Sequence, residues 1–173
     1  MPKIIAVIIE SILCVCVLWA LSFLSTVLHE MGHALGYMIA TGDRNGHIRV
    51  GSGKKLLSIG RLTVKLLPFD GCFTPPEEHK IDTKAKLITT LAGGPFVSLL
   101  LVIGLLLLKQ EGISLHSEII APSAVEFFLS CALSINLFIL ILSLLPAHYF
   151  HGEMKDMETD GLQILHAIRR KAE

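Results

Sequence analysis

Three long apolar tracts, separated by polar stretches, dominate the pattern of residues along the chain. They cover about residues 4–40, 85–108 and 121–145. The hydrocarbon core of a bilayer is about 30 Å thick, so a helix of about 20 apolar residues can cross it. We therefore predict a mainly α, polytopic membrane protein with three spans, folded as a single membrane-embedded domain over residues 1–173.

The first tract is longer than one perpendicular span requires. As a single helix it would measure about 55 Å at 1.5 Å per residue, so it must tilt, kink or protrude, or else divide into a short lead-in and one span. We predict that the helix of this tract ends at Gly42, because glycine commonly terminates helices. The apolar run from Ile4 also exceeds the roughly 7–15 residues of a secretory signal core, so we expect a retained span.

Two segments outside the tracts have their own patterns. Residues 43–84 contain many glycines, which separate short stretches of alternating polar and apolar residues at 47–50 and 62–66. This pattern predicts a small β-rich segment between the first and second spans. The tail, residues 147–173, is polar and ends in a predicted short amphipathic helix over 161–168.

The basic residues predict the orientation in the membrane. The connection between the second and third spans has Lys109 alone. The other two polar segments carry the remaining loop cations: Arg44, Arg49, Lys54, Lys55, Arg61, Lys65, Lys80, Lys84 and Lys86 in the first, and Lys155, Arg169, Arg170 and Lys171 in the tail. The positive-inside rule then places the β-rich segment and the C-terminus in the cytoplasm and the N-terminus outside.

Net charge and cysteine spacing limit the classes of binding partner and cross-link that the sequence indicates. Lysine plus arginine equals aspartate plus glutamate at 15 each, so net charge does not indicate a nucleic acid partner. The cysteines at 14, 16, 72 and 131 have no zinc-knuckle or redox-pair spacing, and three of them fall in apolar tracts. We expect no disulfide framework.

Residues 29–33, His-Glu-Met-Gly-His, carry the candidate chemistry. Positions i and i+4 of a helix lie on one face, so His29 and His33 can reach one zinc ion, and Glu30 lies where it can act as a general base. The short pattern also occurs by chance. However, an ionisable residue within a membrane helix costs about 2.5–3.5 kcal/mol, and a divalent cation would compensate the three found here. We predict one Zn²⁺ per chain.

The order of motifs resembles that of the site-2 protease family in its compact bacterial form. A first span with His-Glu-x-x-His precedes a β-rich segment, the second span contains Ala-Gly-Gly-Pro-Phe-Val-Ser at 92–98, and Asp160-Gly161 follows the third span. The resemblance implies an intramembrane zinc metalloprotease. Its substrate would be a single-span membrane protein or membrane-bound peptide, cleaved in the lipid bilayer, and a regulatory membrane partner could control access.

The resemblance also implies the third ligand, but two residues compete for the role. Asp160 lies in the expected Asp-Gly motif, fourteen residues after Pro146, where family members often have a shorter gap. His151 has the shorter spacing and is the alternative ligand. Asp160 could instead be a helix N-cap. Ser143 stands where the family usually has Asn ahead of Leu-Leu-Pro.

Two further features keep two interpretations each, and a third has a role that only the resemblance implies. Gly93-Gly94-Pro95 could contact substrate or permit close helix packing. Asn136 could hydrogen-bond a substrate backbone or link helices. In the family the β-rich segment is thought to present substrate as an added strand, which residues 46–70 could do by edge pairing.

Two rival functions follow from the same residues. One is a catalytically inactive zinc-binding membrane protein that acts as a binding partner or scaffold, and the other is a metal transporter. A structural zinc site closes its fourth position with a protein ligand and has no need of Glu30. A transporter would spread ionisable residues over several spans. The sequence therefore favours the peptidase.

Overall fold

The computed structural model describes residues 2–76, 81–110, 122–150 and 152–169, and it is mainly helical. Three helices are long and apolar enough to cross a membrane, judged by length and composition. They are α1, Pro2–Thr41; α2, Lys84–Gln110; and α3, Pro122–Leu144. A shorter helix, α4, spans Asp160–Arg169 where the sequence predicts an amphipathic helix. All four cysteines are free, as expected.

Helix α1 is continuous over 40 residues, so the first tract does not divide into a lead-in and a span. Its length is about 60 Å at 1.5 Å per residue. The N-terminal half exposes large apolar side chains, including Ile4, Ile9 and Val15. The helix stops where the sequence predicts, because Gly42 adopts φ 75° and its amide donates to the carbonyl of Met38.

The β-rich segment is a single two-stranded sheet, with strands longer than the short stretches that the sequence predicts. Strand β1 spans His47–Ile59 and β2 spans Leu62–Thr74. Residues 47–50 pair with 71–74 and also with 62–64, while 55–59 pair with 62–65. These register shifts bend the ribbon, and β2 contacts α1.

Small side chains let α1 approach α2 closely. A Cβ on Gly32 would overlap the carbonyl oxygen of Gly93, and a Cβ on Gly36 would overlap that of Thr89. Glycine at these positions therefore permits backbone contact between the two helices. This observation supports the packing interpretation of Gly93.

Asn136 joins α3 to α1. Its buried amide nitrogen donates to the Ser25 hydroxyl at 3.0 Å and to the Ala132 carbonyl at 2.8 Å. Both donor hydrogens of the amide are thereby used within the protein. The arrangement supports the helix-linking interpretation of Asn136.

Residues 147–150 and 152–159, here called the return segment, lead from α3 back to the helices. Thr159 joins the two ends of the segment: its amide donates to the carbonyl of Ala147 at 3.0 Å, and its hydroxyl accepts from the Ala147 amide at 3.2 Å. Glu153 ties the middle to the sheet by accepting from the Gly53 amide, Arg49 and Lys65. These contacts bring the start of α4 beside α1 and α2.

Candidate metal centre

His29 and His33 lie on one face of α1, one turn apart, and both are buried. Their Nε2 atoms are 3.2 Å apart. The Nδ1 edge of each imidazole ring faces α2. Thus the i, i+4 spacing does place two imidazole nitrogens at one point, as the sequence predicts.

Asp160 meets the two histidines from the first residue of α4. Its Oδ2 lies 3.5 Å from His29 Nε2 and 3.4 Å from His33 Nε2. Two ligands about 2.0–2.1 Å from one zinc at the tetrahedral angle lie about 3.3–3.4 Å apart, so the three spacings fit that ion. The buried cluster of His29, His33 and Asp160 could hold a metal ion. The competing ligand, His151, lies outside the described residues.

Each histidine is oriented by a partner on α2. The Nδ1 of His33 lies 3.0 Å from the Thr90 carbonyl, which can only accept, so this nitrogen carries the proton and leaves Nε2 free as a ligand. The Nδ1 of His29 lies 2.8 Å from the hydroxyl of fully buried Ser98. Such partners fix ring orientation in metal sites. Reasoning from the sequence did not assign this role to either residue.

Gly94 of α2 lies directly against the ligand atoms of the two histidines. A Cβ at this position would overlap His33 Nε2 and lie 2.8 Å from His29 Nε2. Any side chain would therefore occupy the space between the two ligand atoms and α2. The two glycines therefore have different structural roles. Gly93 packs against the backbone of Gly32, and Gly94 leaves space for the imidazoles.

The sequence Thr159-Asp160-Gly161 sets the position of the carboxylate. Thr159 caps α4, because its hydroxyl accepts from the Leu162 amide at 3.4 Å. The Asp160 side chain is therefore free to face the histidines instead of capping the helix. A Cβ on Gly161 would overlap the Leu144 carbonyl oxygen, so glycine lets α4 pack against the end of α3.

The electrostatics of Asp160 favour the carboxylate form. Burial alone would raise its pKa, but the adjacent imidazoles of His29 and His33 outweigh that effect and lower the pKa to about 2. An ionised carboxylate beside two imidazoles is a ligand set suited to a divalent cation. The group is thus ready to bind a cation near neutral pH.

Glu30 lies next to the cluster without belonging to it. Among the described residues, the group whose donor atoms all lie within 4.8 Å of one another contains His29, His33 and Asp160 but not Glu30. The Glu30 carboxylate is buried and packs against Gly71 of β2, where a Cβ would overlap Oε1. The Glu30 carboxylate therefore neighbours the cluster without joining its group of ligand atoms.

Two cavities meet at the cluster. One, of about 480 Å³, has largely apolar walls from α1, α3 and β2, including Ile135, Phe138 and Leu142. The other, of about 280 Å³, lies towards α2 and α4 and includes Asp160 and Gln163. His29, Glu30, Gly71, Tyr149 and Met154 line both cavities. A chain that passed from one cavity to the other would pass His29 and Glu30.

Tyr149 belongs to the return segment and lies outside the apolar helices. Burial, and after it the negative charge of Asp160 and Glu30, raises the pKa of its phenol above the ordinary value. The hydroxyl therefore keeps its proton at neutral pH. This residue carried no motif that could reveal it in the sequence.

Two other polar residues near the end of α3, Ser143 and His148, are not part of the cluster. Ser143 is buried and donates to the Leu140 carbonyl at 3.1 Å. His148 is exposed and its backbone pairs with Glu158. Neither belongs to the described cluster of metal-binding groups.

No protein-family model matches the chain, and no curated protein and no solved structure matches it either. The geometry of the site itself therefore carries the functional argument.

Proposed function

We propose that this protein is an intramembrane zinc metalloendopeptidase, which hydrolyses a peptide bond in or near a transmembrane segment of a membrane protein. The observation that carries the proposal is the spacing of His29, His33 and Asp160, with the Glu30 carboxylate beside them, in a bundle of apolar helices. The three long helices would span the bilayer, with the N-terminus outside and the C-terminus in the cytoplasm.

Zinc suits the three ligands better than the common hard cations. Two imidazoles and one carboxylate form a known catalytic zinc set, whereas Mg²⁺ and Ca²⁺ prefer oxygen ligands. One ion per chain would bind to His29, His33 and Asp160. When bound, zinc supplies Lewis acidity, which polarises a carbonyl and makes water more acidic.

The chain's own residues would supply the proton transfers. Glu30 lines both cavities and would take a proton from the attacking water, then deliver it to the leaving amine. The apolar cavity would accept the side chains of an unwound membrane segment. Residues Asp70 and Gly71 of β2 line that cavity, which is consistent with a peptide extended along the sheet.

The resemblance to the site-2 protease family agrees with this arrangement. The family's order of motifs would bring two histidines from the first span and an aspartate after the third span to one ion, and these residues do lie together here. The long gap between Pro146 and Asp160 is accommodated because the return segment folds back on Thr159. The inactive scaffold is the alternative, and activity decides between them.

Metal removal tests the proposal. The probe is a library of single-span segments in vesicles, each with a fluorophore and a quencher at its ends, and the segment that is cleaved fastest serves as reporter. We expect a zinc chelator to abolish cleavage and one equivalent of zinc per chain to restore it, because the ligands cannot activate water alone. Cleavage by metal-free protein would contradict the proposal. A zinc-loaded protein that cleaves no segment would favour the scaffold.

A further inference from the structure

Tyr149 stands where the two cavities join. It lines both, together with His29 and Glu30, so a peptide that passed from one cavity to the other would pass its side chain. The charge that develops in peptide hydrolysis appears on the carbonyl oxygen of the bond being cut. Donors already fixed in place around that oxygen lower the barrier most. The side chains around the junction therefore include the candidates for such a donor.

Every other hydroxyl and thiol that lines the cavities, among the described residues, already donates within the protein. The hydroxyls in the larger cavity donate to carbonyls of their own helices, and the hydroxyl and thiol in the smaller cavity donate to backbone carbonyls. They are Ser22, Thr26, Ser134 and Ser143 in the larger cavity, and Cys72 and Thr90 in the smaller one. The Gln163 amide uses one of its two hydrogens to bond the Glu158 carbonyl. The Tyr149 hydroxyl makes no hydrogen bond with a described residue, so it remains available to a substrate.

The backbone holds Tyr149 firmly. Its amide donates to the Met157 carbonyl at 2.9 Å, and its own carbonyl accepts from the Asp156 amide at 2.7 Å. The return segment that contains these residues is closed by Thr159 and tied to the sheet by Glu153. A donor on a fixed backbone needs little reorganisation during the reaction.

We propose that the Tyr149 hydroxyl donates a hydrogen bond to the carbonyl oxygen of the scissile peptide bond as that oxygen gains negative charge. This inference rests on the peptidase function proposed above. The water oxygen bonds to the carbonyl carbon, its proton passes to Glu30, and the π electrons of the carbonyl move onto the oxygen. When the carbonyl re-forms, the C–N bond breaks and the nitrogen takes the proton from Glu30. Tyr149 keeps its own proton throughout.

Tyr149→Phe tests the proposal because it removes only the hydroxyl. We expect kcat on the reporter to fall about 10²–10³-fold, the usual loss for one such donor, while KM and zinc content stay at wild-type values. A phosphinic peptide of the reporter sequence imitates the tetrahedral intermediate, so its affinity should fall by a similar factor. A residue that only shaped the cavity would not give this difference between kcat and KM.

Tyr37→Phe is the matched control, since Tyr37 is the other of the chain's two tyrosines and lines neither cavity. It should cleave the reporter at the wild-type rate. Wild-type kcat and wild-type phosphinic peptide affinity in Tyr149→Phe would overturn the role of Tyr149 and leave the peptidase function standing. Failure of the wild-type protein to cleave any segment would overturn both.

Discussion

Replacing Glu30 by Gln is expected to abolish cleavage of the reporter and to leave one zinc per chain in place. Glutamine has nearly the same shape as glutamate but cannot accept a proton from water, and a general base contributes about 10²–10⁴-fold to the rate. Glu30 is outside the group of ligand atoms, so we expect the substitution to leave zinc binding unchanged. The measurements are kcat on the reporter and zinc content by elemental analysis.

Glu10→Gln is the control for this prediction, because Glu10 lies on the same helix but is exposed and far along it from the histidines. It should cleave the reporter like the wild type. Two results would count against the role of Glu30. One is wild-type cleavage by Glu30→Gln, and the other is loss of zinc together with activity, which would make Glu30 part of the metal site.

Gly94→Ala is expected to remove the metal from the site. The added methyl group would overlap His33 Nε2 and crowd His29 Nε2, so the two rings could not keep their positions while α2 stays in contact with α1. Loss of a mere orienting partner weakens metal binding about 10–100-fold. Displacement of two ligands should therefore weaken zinc binding by about 100-fold or more, measured by competition with a chelator of known affinity.

The same substitution at Gly104 provides the comparison. Gly104 lies in the same helix, and a Cβ there would meet nothing within 4 Å. Because alanine is the better helix former, Gly104→Ala should bind zinc as the wild type does and be at least as stable. Wild-type zinc affinity in Gly94→Ala would mean that the histidines do not face α2 as described.

Local spacing made part of the site predictable from the sequence. His29 and His33 are one turn apart on one helix, so their convergence depends only on helical geometry. The apolar tracts likewise predict the three long helices, because about 20 apolar residues are enough for a helix to cross a bilayer. Gly42 as the end of α1 follows from its freedom to adopt positive φ.

Contacts between distant segments were not predictable in the same way. Ser98 orients His29 across 69 positions of sequence, and no periodicity links the two. The resemblance, and not the spacing, pointed to Asp160, and the return segment shows why a gap of this length can still bring it to the histidines. Tyr149 lies in that segment, whose path depends on the contacts of Thr159 and Glu153 with distant residues.

If Asp160 completes a zinc site with His29 and His33 as proposed, zinc affinity must depend on its carboxylate, and Asp160→Ala removes that carboxylate. The wild-type protein should hold one zinc per chain. The variant, which keeps Thr159 as the cap of α4, should bind zinc at least about 100-fold more weakly, because it loses a direct ligand and not only an orienting partner. Zinc bound by Asp160→Ala with wild-type affinity would contradict the account.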